Sequence, residues 1–211
     1  MPSPMPTEIS PDELEKTVKG AQKGSAGDFH KLYNLYSKQI FNFVWRLVGS
    51  TEDAEDLTQE TFLKVHRKIK NLRQAGQFKF WLYRIARNEV YQKQRRSKKA
   101  TEVSLDDSAI DYYDFLPHPS PDNDPEKQAL YRELSQIMDR TLKAMTPKYR
   151  DVFVLAVFHK MSYDDITQIV DRSLLSVKTD IYRARLTVKD ALGQYYEEKK
   201  VTEEDGSRGR S

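Results

Sequence analysis

Residues 78–96 read Phe78-Lys-Phe-Trp-Leu-Tyr-Arg-Ile-Ala-Arg-Asn-Glu-Val-Tyr-Gln-Lys-Gln-Arg-Arg96 and mix aromatic and cationic side chains more densely than any other segment. Their apolar residues recur at three- and four-residue steps, the period of an amphipathic helix. One apolar stripe results, made of Phe78, Trp81, Leu82, Ile85, Ala86 and Val90. The pattern predicts a helix on a helical core, with Trp81 on its buried side.

The residues off that stripe are candidates for contact with nucleic acid: Phe80, Tyr83, Arg84, Arg87, Asn88 and Tyr91. Residues 64–99 contain thirteen basic residues and one acid, a local charge of +12 in a chain of net charge +3. Such a cationic surface attracts a polyanion, and unpaired bases stack on aromatic rings for about 1–3 kcal/mol each. This combination predicts binding to a locally opened strand; a merely solvated charged face is the alternative.

Composition favours two small helical domains over one large domain. The 211 residues are 38% hydrophobic and 32% charged, which leaves rather little core. The chain contains no cysteine, which agrees with a reducing compartment. It has no apolar run of membrane-span length, and its start, Met1-Pro-Ser-Pro-Met-Pro, lacks a signal-peptide pattern. We expect a cytoplasmic protein.

The segment before the basic region is acidic and reads Thr51-Glu-Asp-Ala-Glu-Asp-Leu-Thr-Gln-Glu-Thr-Phe-Leu63. Ser50 or Thr51 is expected to cap its helix, and the helix dipole explains acids in the first turns. Capping does not explain why Gln59 and Glu60 continue the same polar face. That face predicts a docking surface for a protein partner.

Two further elements are expected around this segment. Upstream, Asp28 is expected to cap a long core helix, and downstream, residues 71–77 are expected to form a loop.

After residue 99 the charge inverts. Residues 100–126 contain eight acids, four prolines and neither Lys nor Arg, which predicts a linker. It is either a solubilising spacer or a functional polyanion. Beyond it, Thr146-Pro147 and Ser162 predict helix starts, and a last helix is expected from about Leu174 through Leu192. Two helices joined by a short turn, the second carrying several cations, have the form of a helix-turn-helix reader.

No carrier of catalysis is visible in the sequence. The four histidines lack ligand spacing, and Leu63 stands where a Glu-x-x-His metal motif beginning at Glu60 needs histidine. No nucleophile–base pair or glycine-rich phosphate loop is present. We therefore expect no metal, no cofactor, no small-molecule substrate and no enzymatic activity.

Four segments closely resemble those of extracytoplasmic-function sigma factors of bacterial RNA polymerase, in the sigma-70 family. They are Asp53-Ala-Glu-Asp-Leu-Thr-Gln-Glu-Thr-Phe62, then Phe80-Trp-Leu-Tyr-Arg-Ile-Ala-Arg-Asn88, then Met161-Ser-Tyr-Asp-Asp-Ile166 with Ser176-Val-Lys-Thr-Asp-Ile-Tyr-Arg-Ala-Arg185. The resemblance implies an all-α fold of two small helical domains. Region two spans residues 12–99 and the region-four helix-turn-helix spans residues 127–194, joined by the acidic linker at 100–126. Residues 1–11 and 195–211 are expected to be disordered tails.

The resemblance also implies a role for particular residues. Those expected to dock the clamp helices of the polymerase's largest subunit are Asp53, Asp56, Leu57, Gln59, Glu60 and Phe62. Those expected to capture and melt the minus-ten promoter element are Asn71, Arg73, Phe80, Trp81, Arg84, Arg87 and Asn88. Those expected to read the minus-thirty-five element are Lys178, Thr179, Tyr182, Arg183 and Arg185.

The partners implied are core RNA polymerase, promoter DNA and an anti-sigma factor, with region four contacting the flap of the second-largest subunit. Two residues depart from the family pattern: Leu175 stands where a turn glycine is usual, and Asp180 where a basic residue is common. Asp180 is therefore expected to weaken a phosphate contact or to alter base preference. A free-standing regulator and a small nuclease are the competing functions, but a simple repressor needs no melting segment and a nuclease needs a metal or nucleophile cluster.

Overall fold

A computed structural model describes residues 9–100 and 124–208 of the chain. Residues 101–123 of the predicted acidic linker, and the first eight residues of the predicted N-terminal tail, lie outside the described residues. The described residues form no strand, which confirms the all-α prediction. Their α-helices are α1 (Pro11–Gln22), α2 (Ala26–Val48), α3 (Thr51–Lys68), α4 (Phe78–Ala100), α5 (Pro125–Ala144), α6 (Pro147–Phe153), α7 (Tyr163–Val170) and α8 (Leu174–Arg208). A π-helical turn, Val154–Phe158, continues α6.

Serine caps set the start of several helices. The Ser50 hydroxyl accepts a hydrogen bond from the Asp53 amide at 3.3 Å, and Ser162 caps α7 in the same way. The expected cap of α2 by Asp28 is wrong, because Ser25 accepts from the Asp28 amide and the helix begins at residue 26. Asp28 lies instead in the first turn, where the Ser25 bond lowers the pKa of its carboxyl.

The last helix is longer than the sequence pattern predicts. It continues to Arg208, so the expectations that it ends near Leu192 and that residues 195–211 are disordered are wrong for the described part. The Tyr195 hydroxyl and the Lys199 ammonium both bind the Glu133 carboxylate on α5. These bonds to a neighbouring helix hold a charged segment that has little apolar periodicity of its own.

Helices α1–α4 form an N-terminal group and α5–α8 a C-terminal group, and one continuous apolar core joins them. Phe43, Phe78 and Tyr83 are fully buried in the first group, while Leu155, Ile166 and Ile169 are buried in the second. Burying one such side chain stabilises a fold by about 1.5–3 kcal/mol. Helix α4 packs against α2 and α3 of its own group and against α7 of the C-terminal group.

A tight turn brings α2 close to α5. Gly49 ends α2 with φ of 72°, a left-handed conformation that disfavours side chains, and its amide donates to the Trp45 carbonyl at 2.7 Å. A Cβ atom at this position would lie only 2.6 Å from the Lys143 side chain on α5. The left-handed conformation is therefore the reason for glycine here, since the end of the flexible Lys143 side chain can move aside.

Candidate polymerase and nucleic-acid interfaces

Helix α3 presents part of the predicted polymerase-docking set to solvent. Asp56, Gln59 and Glu60 are exposed, and Asp53 is partly exposed and ion-paired with Lys93 of α4. The other two members of the set, Leu57 and Phe62, are 5% and 4% exposed and pack in the core. In this structure an acidic and amide-bearing face is accessible to a partner, and the two apolar residues support it from beneath.

The loop before α4, residues 71–77, exposes polar side chains. Asn71 and Arg73 are both exposed, as the minus-ten prediction requires. The Gln22 amide of α1 holds the loop from below by donating to the Ile69 carbonyl at 3.0 Å and to the Leu72 carbonyl at 2.7 Å. A buried Ala75 anchors its far end. The loop thus presents polar groups from a fixed backbone.

The two aromatic members of the minus-ten set are half-buried. Phe80 and Trp81 both pack against the core, and the Trp81 ring lies 6.2 Å from the Phe78 ring, centroid to centroid. The placement of Trp81 agrees with the apolar stripe on α4. Each ring retains some exposed surface, so neither is fully enclosed.

Further along α4, two cations of the minus-ten set bind the C-terminal group. The Arg84 guanidinium donates to the Gln168 carbonyl on α7, and Arg87 Nε donates to the Asp151 carboxylate on α6 at 2.5 Å. Both cations therefore contact the C-terminal group, Arg84 with an exposed side chain and Arg87 with a partly exposed one. Asn88 is the third polar member of the set on α4. It is exposed, and the hydrogen bonds described between α4 and the C-terminal group do not involve it.

The prediction that Tyr83 contacts nucleic acid is wrong, because its side chain is 0% exposed. Its hydroxyl hydrogen-bonds His159 Nδ1 at 3.1 Å, and the His159 ring stands edge-on to Phe43 and Tyr83. Burial, with the nearby charges of Arg46 and Lys79, lowers the pKa of His159 to about 4, so the ring is neutral at pH 7. Sequence reasoning missed His159 because an isolated histidine has no local pattern.

On α8, all five predicted minus-thirty-five residues are exposed: Lys178, Thr179, Tyr182, Arg183 and Arg185. Tyr182 is 63% exposed, and the Arg183 guanidinium donates to the Tyr149 hydroxyl at 2.9 Å. A capped α7, a left-handed Asp171 with φ of 54° and then α8 give the helix-turn-helix shape. Cations and an aromatic ring on one exposed helix suit a DNA groove.

Asp180 does not face that exposed surface. It is 4% exposed and ion-paired with Arg172 in the turn before α8. The expectation that Asp180 weakens a phosphate contact or alters base preference has no support in this geometry, because its carboxylate is used inside the C-terminal group. Leu175, at the position of the usual turn glycine, is 76% exposed at the start of α8.

Within residues 9–100 and 124–208, no group of three or more His, Asp or Glu side chains is arranged to hold a metal ion. In the same residues, no helix has the length and apolarity that crossing a membrane requires.

Comparison with family models gives two matches in the order expected. Sigma-70 region 2 matches residues 32–100, and Sigma-70, region 4 matches residues 135–188. The first match ends with α4, and the second begins within α5.

Curated relatives match most of the chain. The ECF RNA polymerase sigma-E factor of Salmonella typhimurium (strain LT2) is 30% identical over 172 residues, covering 80% of this chain and 88% of the relative. ECF RNA polymerase sigma factor SigW of Bacillus subtilis is 27% identical over 180 residues, covering 85% and 96%. SigE of Mycolicibacterium smegmatis is 30% identical over 170 residues, covering 80% of this chain and 63% of the relative.

Solved structures with low sequence identity share the fold. CnrH in complex with the cytosolic domain of CnrY gives a TM-score of 0.63 at 19% identity, covering 86% of this chain and 97% of that one. The sigma factor RpoE of Bartonella quintana, in complex with the anti-sigma factor NepR, gives 0.62 at 23% identity, covering 79% and 97%.

Proposed function

This chain belongs to the extracytoplasmic-function sigma factors of the sigma-70 family, and from that membership we propose how its surfaces serve transcription initiation. Helix α3 docks core RNA polymerase, the loop at residues 71–77 and α4 engage the minus-ten element, and α8 reads the minus-thirty-five element. The protein is a binding subunit that supplies specificity to a polymerase and carries out no chemistry itself. Its place of action is the cytoplasm, where polymerase and promoter DNA meet.

One observation carries the proposal: a single chain exposes an acidic, amide-bearing face on α3 and a cationic, aromatic-bearing face on α8. A DNA-binding protein that acts alone needs only the second face. Opposite charges on the two faces direct them to different partners, because a polyanion is attracted to the α8 face and repelled by the α3 face. The α3 face therefore suits a basic protein surface on the polymerase.

The α8 face suits direct readout of a major groove. Lys178, Tyr182 and Arg185 lie at helical steps of four and three residues, so they share one side of the helix. Arg183 lies beside them and donates to Tyr149, a contact that limits the freedom of its long side chain. A guanidinium held in this way is suited to guanine recognition through two hydrogen bonds.

The minus-ten face suits unpaired bases better than a duplex. Asn71 and Arg73 are free of the core, and the partly exposed rings of Phe80 and Trp81 lie near the start of α4. Aromatic stacking together with amide and guanidinium hydrogen bonds favours bases that have left the duplex. We assign strand capture to this face.

We also propose that an anti-sigma protein regulates this chain. Support comes from the RpoE structure of Bartonella quintana, which contains the anti-sigma factor NepR, and from the exposed faces that such a protein would cover. Co-purification from the native cell, followed by identification of bound proteins, tests this point. Recovery of the chain with core polymerase subunits alone would contradict it.

The main experiment is transcription from fragmented genomic DNA by purified core polymerase, with and without the chain. We expect new, discrete start sites only when the chain is present. A gel shift with the chain alone separates this function from that of a free-standing regulator, which would bind the same fragments without polymerase. The absence of chain-dependent start sites would refute the proposal.

A matched pair of variants tests the docking surface. Charge reversal of Asp53 and Asp56 to Lys is expected to abolish binding to core polymerase, because it removes charge complementarity from an accessible face. The control reverses Asp12 and Glu13 in the first turn of α1, which are also exposed. Equal retention of both variants on immobilised core polymerase would show that docking occurs elsewhere.

A further inference from the structure

One side of α8 carries the two most exposed large hydrophobic side chains of the described residues. Leu175 is 76% exposed and Tyr182 is 63% exposed. They lie two helical turns apart, so they share a side of the helix, and the exposed Lys178 lies between them on that side. The buried residues Val177 and Ala184 mark the opposite side. A single exposed leucine needs no explanation, but this leucine belongs to a face that also carries an aromatic ring and a cation.

The first turn of α8 holds Leu175 in a regular helical backbone. The Ser173 hydroxyl accepts from the Ser176 amide at 3.3 Å, and the Thr179 hydroxyl donates to the Leu175 carbonyl at 2.9 Å. The left-handed position of the turn is Asp171, with φ of 54°, so the conformation at Leu175 does not require glycine. A rigid turn therefore presents an apolar side chain where the family usually has none.

A leucine on this side has one apolar partner in a major groove. Base edges there present hydrogen-bond donors and acceptors, and the C5-methyl group of thymine is the exception. In a helix-turn-helix, the N-terminal residues of the second helix contact base edges, and Leu175 is the second residue of α8. Lys178 and Arg185 give the face a positive charge, which favours a nucleic acid as the partner that covers the leucine.

We propose that Leu175 is a specificity-determining residue that contacts the C5-methyl group of one thymine in the minus-thirty-five element. The inference rests on the proposed role of α8 in reading that element. Contact between the two apolar groups removes both from water, which favours the complex. Cytosine and uracil at the same position lack the methyl group, so a duplex with thymine there is bound more tightly.

The test replaces single thymines by deoxyuridine, which removes the methyl group and keeps every hydrogen-bonding group of the base. Promoter duplexes recovered by the transcription experiment carry one replacement each, at every thymine on either strand of the minus-thirty-five element. Binding is measured with holoenzyme made from core polymerase and the full-length chain, as wild type, Leu175→Ala or Leu175→Met. Leu130→Ala is the matched control, because Leu130 is an exposed leucine on α5.

At one position, we expect deoxyuridine to weaken binding by wild-type holoenzyme about three- to fivefold, the effect of leaving one methyl group uncovered. Leu175→Ala should bind the thymine and deoxyuridine duplexes equally at that position. Leu175→Met keeps a long apolar side chain and should retain the preference, and Leu130→Ala should behave as wild type. A variant that folds or docks poorly loses affinity for all duplexes alike, so the ratio between the two duplexes reports the methyl contact alone.

Two outcomes refute the methyl contact and leave the proposed function intact. In the first, wild-type protein supports initiation, but no deoxyuridine duplex distinguishes wild type from Leu175→Ala. In the second, Leu175→Ala leaves every such ratio unchanged and lowers retention on immobilised core polymerase without DNA, which assigns the leucine to a protein contact. If no form of the chain produces chain-dependent start sites, the proposed function fails and this inference fails with it.

Discussion

Replacing Asp139 with Asn is expected to make the protein more sensitive to mild acid. Asp139 lies on α5, and burial raises the pKa of its carboxyl to about 6, although Arg46 and Lys143 act in the opposite direction. His159, which also lies between the two groups of helices, has its pKa lowered to about 4 by burial and by Arg46 and Lys79. Acid therefore changes the stability contributions of the Asp139 carboxyl and of the His159 ring in opposite directions.

The signs follow from proton linkage. The pKa of His159 falls from 6.5 in the unfolded chain to about 4 in the fold, so its contribution to stability is complete above pH 6.5 and is lost as the pH falls. The pKa of Asp139 rises from 3.8 to about 6, so its contribution is complete below pH 3.8 and is lost as the pH rises. Between pH 6 and pH 4 the two effects largely cancel.

At 1.36 kcal/mol for each pKa unit, lowering the pH from 7 to 5 costs about 2 kcal/mol through His159. The same change gains about 1 kcal/mol through Asp139. The Asn variant retains the loss without the gain. We therefore expect its free energy of unfolding to fall by about 1 kcal/mol more than that of wild type over this interval.

Urea unfolding, followed by far-ultraviolet circular dichroism at pH 7 and pH 5, measures this difference. Asp190→Asn is the control, because Asp190 is exposed on α8. His159→Gln should reverse the effect and leave a protein that becomes more stable, relative to wild type, as the pH falls. The reasoning is refuted if Asp139→Asn and Asp190→Asn have the same pH dependence, or if His159 titrates near 6.5 in the folded protein by nuclear magnetic resonance.

Three further predictions concern the C-terminal group. Arg183→Ala should weaken binding at one promoter position by about 1–3 kcal/mol if the guanidinium reads a base, and equal losses on all promoter variants would assign it to a phosphate. Asp180→Asn should lower the free energy of unfolding by about 2–4 kcal/mol because Arg172 loses its partner, and unchanged urea unfolding would contradict this. Ser162→Ala should cost about 1 kcal/mol by freeing the Asp165 amide at the start of α7, and hydrogen exchange at that amide should rise.

The sequence pattern alone predicted most of the helices and most of their exposed faces. Serine caps, apolar periods and the prolines near the helix starts predicted α3, α6 and α7 closely. The exposed positions of α8 followed from its single apolar stripe, which includes Val177, Ile181 and Ala184. These are local properties, and a helix with one buried face shows them directly in its sequence.

Tyr83 shows where that reasoning stops. It lies off the apolar stripe of α4, and the sequence therefore assigned it to the exposed side. In the structure a second group of helices covers that side, and His159 accepts or donates the hydrogen bond that a buried Tyr hydroxyl needs. A polar aromatic residue can serve either setting, so periodicity cannot distinguish a solvated face from a face covered by a distant segment.

Asp151 and Asp180 illustrate the same limit for charge. Both are acids near cationic segments. Only the three-dimensional structure shows that their carboxylates are buried and paired with Arg87 and Arg172. The length of α8 is a related case. Its charged end has little apolar period, and its bonds to Glu133 on α5 are tertiary contacts that no local pattern contains.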